Sequence, residues 1–266
     1  MNGKCYLVGA GPGDPGLLTV KGKQCLSVAD VLVYDALSSL EFLRMVPKDC
    51  EKIYAGKRAS DHAIPQGGIN ELIVEKAREG KTVVRLKGGD PMIFGRGGEE
   101  AAELAEAGVP FEIVPGISSA IGGAAYAGIP VTHRDHCSQL TLFTGHEDPS
   151  KEQTSLDYAK LAEAEGTRVF LMGVSRLREI TSALIEHGAD PEIPMALTRW
   201  ATTGRQRTIE GTLGSMADIA ENEHFKSPAV AVLGNVVRER SKINWFEKWK
   251  GNLAQIDDVC VMGIRV

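Results

Sequence analysis

The 266-residue chain lacks several features that mark common protein classes. Aromatic residues make up only 6% of it, and the formal net charge is −5, so there is no basic excess. A chain without basic excess gives no reason to expect binding to nucleic acid or to an anionic membrane surface. No apolar run is long enough to cross a bilayer, and no apolar signal segment precedes "KCYLVGAG". We therefore expect a soluble cytoplasmic protein, in which any acidic ligand must meet a local cationic site.

Cysteine pairs with metal or redox spacing are also missing. None of the five cysteines forms a CxxC pair, and they are scattered as Cys5, Cys25, Cys50, Cys137 and Cys260. An odd number without recognisable spacing is typical of reduced thiols rather than a disulfide framework. His133 and His136 have an i, i+3 spacing, but no nearby acidic or thiol ligand is dictated by the pattern, so we predict no metal site.

A glycine-rich loop with two possible ligand classes follows the first predicted strand, in "LVGAGPGDPGLLT" at 7–19. No Gly-Lys-Ser/Thr ends any glycine spacing, which excludes a Walker loop. Gly11, Gly13 and Gly16 fit the G-x-G-x-x-G dinucleotide fingerprint, and Asp35 stands where a ribose-binding acid would follow. An NAD-dependent oxidoreductase is therefore one alternative.

The same loop also contains features that disfavour a pyrophosphate. Pro12 and Pro15 have no N–H to donate, and Asp14 adds a negative charge. The best N-cap is Thr19, which predicts that the helix begins several residues after the glycines. The pattern favours a rigid loop with little side-chain bulk, suited to a ligand without phosphate.

Alternating apolar strands and amphipathic helices predict an α/β fold. Strands are predicted in "CYLVGAG", "DVLVYD", "TVVRLKG" and "FEIVPG", and they are separated by helical patterns in "INELIVEKAREG" and "GGEEAAELAEAG". Strand–helix alternation indicates a mostly parallel sheet. After residue 155 the pattern changes, because "PMALTRW" and "QRTIEGTL" flank "ATTGR" as a hairpin would. The second half is therefore predicted to contain a mixed sheet.

These patterns predict two domains. An N-terminal α/β domain is expected over 1–146, a polar linker over 147–155 and a C-terminal mixed α/β domain over 156–250. Residues 251–266 form a tail that ends in an apolar, strand-like run and is left unassigned.

Long motifs in a fixed order carry a more specific signal. The string "VVRLKGGDPMIFGRGGEE" at 83–100 resembles the tetrapyrrole methylase family, in particular its branch that acts on uroporphyrinogen III. The resemblance continues through "VLVYDALSS", "YAGKRASDH", "PQGGIN", "VPGISSA", "AYAGIPVTHRD" and "TGH", and thus covers most of 4–146. A broader similarity, including "FLMGV" and "NWFEKW", extends to about residue 250.

The resemblance implies a fold, a reaction and an assembly. The fold is the two-domain tetrapyrrole methylase fold, with the cofactor S-adenosyl-L-methionine bound in the cleft between the domains. The reaction transfers two methyl groups to neighbouring pyrrole rings of uroporphyrinogen III, a small-molecule tetrapyrrole, and yields precorrin-2 and S-adenosyl-L-homocysteine. A homodimer is implied, and a methylase of a later corrin intermediate remains an alternative.

The resemblance also implies site residues. The proton acceptor and proton donor would be Asp35 and Lys57. The cofactor-binding positions would be Pro12, Gly88, Gly89, Asp90, Ile93, Ser118, Ser119, Met172 and Ala201. The substrate carries eight carboxylates, and guanidinium groups suit carboxylates. We expect its partners among the basic residues within the motifs, namely Arg58, Arg85, Lys87, Arg96 and Arg134, together with Lys57.

Overall fold

The computed structural model of the protein describes residues 3–35, 40–56, 66–146 and 154–248. Within them the chain divides into two compact units, the first ending at Ser118 and the second beginning at Ser119. Each unit contains one five-stranded sheet. The predicted α/β fold, with a parallel sheet followed by a mixed one, is confirmed.

The sheet of the first unit is parallel throughout its described strands. These strands are β1 (Lys4–Gly9), β2 (Val31–Tyr34), β3 (Glu51–Tyr54), β4 (Thr82–Lys87) and β5 (Phe111–Val114). They lie in the order β3-β2-β4-β1-β5. The helices are α1 (Val20–Ser27), α2 (Gln66–Arg78) and α3 (Gly97–Glu106), with short 3₁₀ helices at Pro15–Leu17 and Leu40–Arg44.

Helices cover both faces of this sheet, which explains why its strands are apolar on both sides. Leu7 and Val83 pack in a core with Ile73 of α2 and Leu104 of α3. The alternate strand residues, such as Val8, pack on the opposite face in a core that includes Leu26 of α1. The period of two along each strand thus divides its side chains between two cores.

The second unit contains the mixed sheet. Its strands are β6 (Leu140–Thr144), β7 (Thr167–Leu171), β8 (Pro194–Arg199), β9 (Arg207–Thr212) and β10 (Ala229–Leu233). They lie in the order β6-β7-β10-β8-β9, with β6 parallel to β7 and the other pairs antiparallel. The predicted β8–β9 hairpin is confirmed.

Five α-helices are described in the second unit. They are α4 (Ser119–Tyr126), α5 (Tyr158–Glu163), α6 (Leu177–Glu186), α7 (Met216–Asn222) and α8 (Arg240–Ile243). Short 3₁₀ helices occur at Val174–Arg176 and Asn235–Glu239. No helix in the described part of either unit is long and apolar enough to span a bilayer.

The division between the units falls earlier than the sequence predicts. Residues 119–146, which we expected in the N-terminal domain, belong to the second unit. The physical reason is pairing: β6 forms a parallel ladder with β7, and Ala120 and Ala124 of α4 pack in a core with Val169 and Val230. Of the predicted linker, 147–153 lie outside the described residues, as does the tail at 251–266.

We expect the first unit to depend on the face of α2 that meets the sheet. Ile73 is fully buried there, so Ile73→Ala should lower the free energy of unfolding by about 2–5 kcal/mol because it removes buried methyl groups and leaves a cavity. Val20→Ala is the matched control, since Val20 is 77% exposed at the start of α1, and it should change stability by less than about 0.5 kcal/mol. Urea denaturation followed by circular dichroism measures both, and equal effects would contradict the assignment.

Candidate functional site

Three loops of the first unit, which follow the carboxyl ends of β1, β4 and β5, contact one another through backbone atoms. Gly11 and Gly89 exchange two backbone hydrogen bonds, of 3.1 and 2.8 Å. Asp90 Oδ1 accepts from the backbone N–H of Met92 at 2.8 Å, and its Oδ2 accepts from that of Gly116 at 2.9 Å. One carboxylate therefore joins the loop after β4 to the loop after β5. In open α/β sheets, ligands bind at this edge.

Glycine is required where these loops touch. A Cβ added to Gly116 would lie 2.3 Å from the carbonyl oxygen of Gly89 and 2.7 Å from Cα of Gly9. Gly89 itself has φ +67°, a conformation that side chains rarely adopt. Close approach of the backbones thus explains these glycines before any ligand is considered.

The geometry of the first loop disfavours the dinucleotide alternative. Asp14 Oδ1 accepts from the N–H of Gly16 at 2.8 Å and caps the 3₁₀ helix that precedes α1. Thr19 Oγ1 accepts from the N–H of Gly22 at 3.0 Å, which confirms it as the N-cap of α1. Donors that a pyrophosphate would need are thus already engaged, and α1 begins at Val20, well after the glycines.

The structure places the predicted cofactor residues of the first unit on these three loops. They are Pro12, Gly88, Gly89, Asp90, Ile93 and Ser118. Asp90 is 8% exposed, and both of its oxygens accept main-chain hydrogen bonds within the protein. It therefore shapes the loops. Pro12 and Ile93 are half-buried and Ser118 is buried, so their surfaces are small and mostly apolar.

Met172 and Ala201 of the second unit lie at one edge of its sheet. Met172 directly follows β7, is 46% exposed and has φ +60°. Ala201 is 8% exposed and lies between Trp200 and Thr202, whose φ angles are +48° and +67°. The ends of β7 and β8 both pair with the beginning of β10, which brings these residues to the same edge. Such left-handed backbone positions often occur at functional sites.

The loop that carries Ala201 is held by a glutamine, Gln206, for which no sequence pattern indicated a role. Gln206 Oε1 accepts from the N–H of Thr202 at 2.8 Å, and its Nε2 donates to the carbonyl of Tyr126 at 2.9 Å. A Cβ added to Gly123 of α4 would lie 3.1 Å from Cβ of Ala201. Ser119, another predicted cofactor residue, is the first residue of this same helix.

A buried cluster of charges lies on the α2/α3 face of the first sheet. Glu100 of α3 is fully buried, and its Oε1 accepts from Lys87 Nζ at 2.8 Å and from Arg85 Nε at 3.1 Å. Arg85 and Lys87 are each 4% exposed. Alternation along β4 places both on the face that carries Val83, toward the helices.

Arg85 and Lys87, which we predicted to bind carboxylates of the substrate, are thus placed inside the unit, where each pairs with Glu100. Glu100 is the shared counter-ion of both cations, and burial together with the neighbouring Arg85 charge lowers the pKa of Lys87. Burial and the nearby Glu100 also raise the pKa of Cys5 to about 12, so this thiol stays protonated. The sequence contained a signal for this arrangement, because charged residues in a strand that is buried on both faces require a buried counter-ion.

Asp35, the predicted proton acceptor, lies at the edge of this cluster. Its Oδ2 is 3.7 Å from Nη2 of Arg85, and its side chain is 26% exposed. Lys57, the predicted proton donor, and Arg58 lie outside the described residues.

The two other predicted substrate residues are exposed. Arg96 is the residue before α3 and has φ +60°. It donates to Glu99 from Nε at 2.8 Å and from Nη2 at 2.6 Å. This pair lowers the pKa of Glu99. Arg134 is an exposed residue of the second unit, within the turn that joins His133 to Cys137.

Of the two histidines with i, i+3 spacing, His136 pairs with an acidic residue of the second unit. His136 Nε2 lies 2.8 Å from Glu239 Oε1, and Lys242 together with His136 lowers the pKa of Glu239 to about 2. Across the described ranges, no group of three or more His, Cys, Asp or Glu side chains is placed to hold a metal ion. The thiols of Cys5, Cys25, Cys50 and Cys137 are free.

Comparison with known proteins relates this geometry to named activities. A uroporphyrinogen III methyltransferase of Methanosarcina barkeri, described as S-adenosyl-L-methionine-dependent, is 52% identical over 235 residues, which are 88% of this chain and 92% of that protein. A siroheme synthase of Chromobacterium violaceum is 46% identical over 96% of this chain, but the match spans only 54% of that longer protein.

A solved structure is similar across both units. The uroporphyrin-III C-methyl transferase of Thermus thermophilus, complexed with S-adenyl homocysteine, is 39% identical and has a TM-score of 0.76, covering 89% of this chain and 99% of that one. The family described as Tetrapyrrole (Corrin/Porphyrin) Methylases matches residues 4–217. That match extends from β1 through the beginning of α7 and includes all three loops of the first unit. The chain therefore belongs to the tetrapyrrole methylases.

Proposed function

We propose that this protein is a uroporphyrinogen-III C-methyltransferase, which transfers two methyl groups from S-adenosyl-L-methionine to peripheral carbons of uroporphyrinogen III to give precorrin-2. The observation that carries the proposal is the 52% identity to the Methanosarcina barkeri methyltransferase over 92% of that protein. The geometry of the loop after β1 disfavours a phosphate group, and S-adenosylmethionine has none, so the loop agrees with the proposal.

The described residues fit the proposed cofactor. The loops after β1, β4 and β5 present glycine backbone together with the half-buried Pro12 and Ile93 and the buried Ser118. A surface of backbone and small side chains suits the adenosine and amino-acid parts of S-adenosylmethionine. In the second unit, Met172 offers a soft thioether and Ala201 a small wall. S-adenosylmethionine supplies the methyl group as an electrophilic sulfonium.

The protein's own task is positioning and proton removal. The pyrroles of a porphyrinogen are electron-rich, so a carbon nucleophile needs alignment and the exclusion of water more than activation. The methylated macrocycle carries a positive charge and must lose a proton after each transfer, and we propose Asp35 as the acceptor of that proton. A partly exposed carboxylate next to a buried cation is available for this role. Lys57 is proposed as the proton donor, on the resemblance alone.

Substrate recognition is assigned to exposed cations. Because Arg85 and Lys87 are buried and paired with Glu100, we propose other partners for the carboxylates of the substrate. These are Arg96 and Arg134, with Lys57 and Arg58 carried over from the family. We also propose that the protein is a cytoplasmic homodimer, with the four free thiols of the described residues supporting a reducing compartment.

The assay that tests the function combines the protein, S-adenosylmethionine and uroporphyrinogen III under anaerobic conditions. Mass analysis should detect two added methyl groups in the product. A protein that leaves uroporphyrinogen III unchanged but methylates a later corrin intermediate would contradict the assignment. Binding of NAD rather than S-adenosylhomocysteine would instead favour the oxidoreductase alternative.

Gly116→Ala should weaken cofactor binding by separating the loops. The new Cβ would lie 2.3 Å from the carbonyl oxygen of Gly89, so one of the two loops must move. We expect at least a tenfold loss of affinity for S-adenosylhomocysteine in calorimetry, which is about 1.4 kcal/mol. Gly67→Ala is the control, because a Cβ added at that position of α2 meets nothing within 4 Å, and affinity should stay unchanged. Tight binding by Gly116→Ala would argue against this site.

Arg96→Ala should raise KM for uroporphyrinogen III about tenfold, because a charge-assisted hydrogen bond to a carboxylate is lost. Affinity for S-adenosylhomocysteine should stay near that of the wild type. Glu99→Gln provides a comparison, since it weakens the competing pair and should leave KM equal or lower. Loss of cofactor affinity in Arg96→Ala would instead assign this arginine to loop structure.

A further inference from the structure

Glu100 occupies a position that the proposed reaction does not yet use. Its carboxylate is fully buried, and Oε1 accepts from three donors: Arg85 Nε, Lys87 Nζ and Gln66 Nε2, the last at 3.2 Å. Its Oε2 is buried and has no hydrogen-bond partner. The three donors come from β4 and α2, while Glu100 belongs to α3, so one oxygen atom joins three elements.

The same oxygen helps to fix the orientation of Arg85. Its Nε is held by Glu100, and its Nη1 donates to the carbonyl of Leu86 at 3.1 Å and to that of Val33 at 3.5 Å. A planar guanidinium held at two nitrogens has little freedom to rotate. Its remaining nitrogen, Nη2, faces Oδ2 of Asp35 at 3.7 Å.

Charged groups of both signs surround the carboxylate of Glu100. In the described elements they include Asp35 after β2, Arg85 and Lys87 on β4 and Glu99 on α3, with the protonated thiol of Cys5 close by. Gln66, from α2, is neutral. Loss of the charge on Glu100 would remove the carboxylate that contacts both buried cations.

We propose that Glu100 is a positioning residue for methyl transfer, which holds Arg85 and Lys87 so that Arg85 orients the carboxylate of Asp35 as a proton acceptor. The inference rests on the proposed function, in which Asp35 is the proton acceptor. It assigns Glu100 no contact with substrate or cofactor.

Glu100→Gln keeps the shape of the side chain and removes its charge. We expect kcat to fall at least tenfold, with KM for uroporphyrinogen III and affinity for S-adenosylhomocysteine within threefold of the wild type. Glu103→Gln is the matched control, since Glu103 is exposed on the same helix, and its kinetics should not change.

A double-mutant cycle separates this role from a purely structural one. Asp35→Asn should lower kcat by itself, and adding Glu100→Gln to it should have no further effect, because the residue through which Glu100 acts is gone. Additive losses, or a folded Glu100→Gln variant with wild-type kcat, overturn the inference while the proposed function stands. Wild-type kcat in Asp35→Asn overturns the role of Asp35 and the inference together. An inactive wild type overturns the proposed function and, with it, the inference.

Arg85→Lys decides the question if Glu100→Gln does not fold, as judged by circular dichroism and by binding of S-adenosylhomocysteine. This substitution retains the buried positive charge but removes Nη2, the guanidinium nitrogen that faces Asp35. We expect the same loss of kcat, again absent in the Asp35→Asn background. An additive loss overturns the inference in this variant as well.

Discussion

The contact between main-chain atoms of Gly9, Gly89 and Gly116 is the constraint on which the first unit depends. A side chain at Gly116 would penetrate the carbonyl of Gly89, so the loops after β1, β4 and β5 come together only with glycine at these points. Asp90 then joins two of the loops through its carboxylate. The resulting surface is made largely of backbone and small side chains. Recognition there depends on the course of the chain more than on functional groups.

That arrangement explains why a glycine pattern typical of dinucleotide sites can serve another ligand. In a pyrophosphate site, the helix begins at the glycines and its free N–H groups bind the anion. Here a 3₁₀ turn precedes α1, Asp14 accepts from one N–H and Thr19 from another. The literal motif is preserved while its anion-binding chemistry is lost. The residues between the glycines and the helix therefore determine the class of ligand.

The sequence predicted the elements well where hydrophobic period and capping agree. The strands of the parallel sheet except the exposed edge strand β3, the cap at Thr19 and the β8–β9 hairpin follow from local pattern. The boundary between the units did not, because the pairing of β6 with β7 is a long-range contact without local signature. The central strand β10 was missed although "AVAVL" is a short apolar run, since such a run is also compatible with a helix.

The site residues divide in the same way. The resemblance assigned the loop residues to the cofactor, and the structure places those of the first unit on three adjoining loops. It assigned Arg85 and Lys87 to the substrate, and the structure places both inside the unit. Their burial follows from strand alternation in a sheet with helices on both faces, so the predicted parallel sheet already implied it.

Buried ion pairs are seldom retained for stability alone, because the cost of removing charges from water offsets much of their attraction. The cluster at Glu100 includes a buried Oε2 without a hydrogen bond, which adds to that cost. A purely structural need could be met by apolar side chains, as it is at Val83 on the same face of β4. What apolar residues could not do is present an oriented cation to the partly exposed Asp35, and this contact gives the cluster its connection to the surface of the protein.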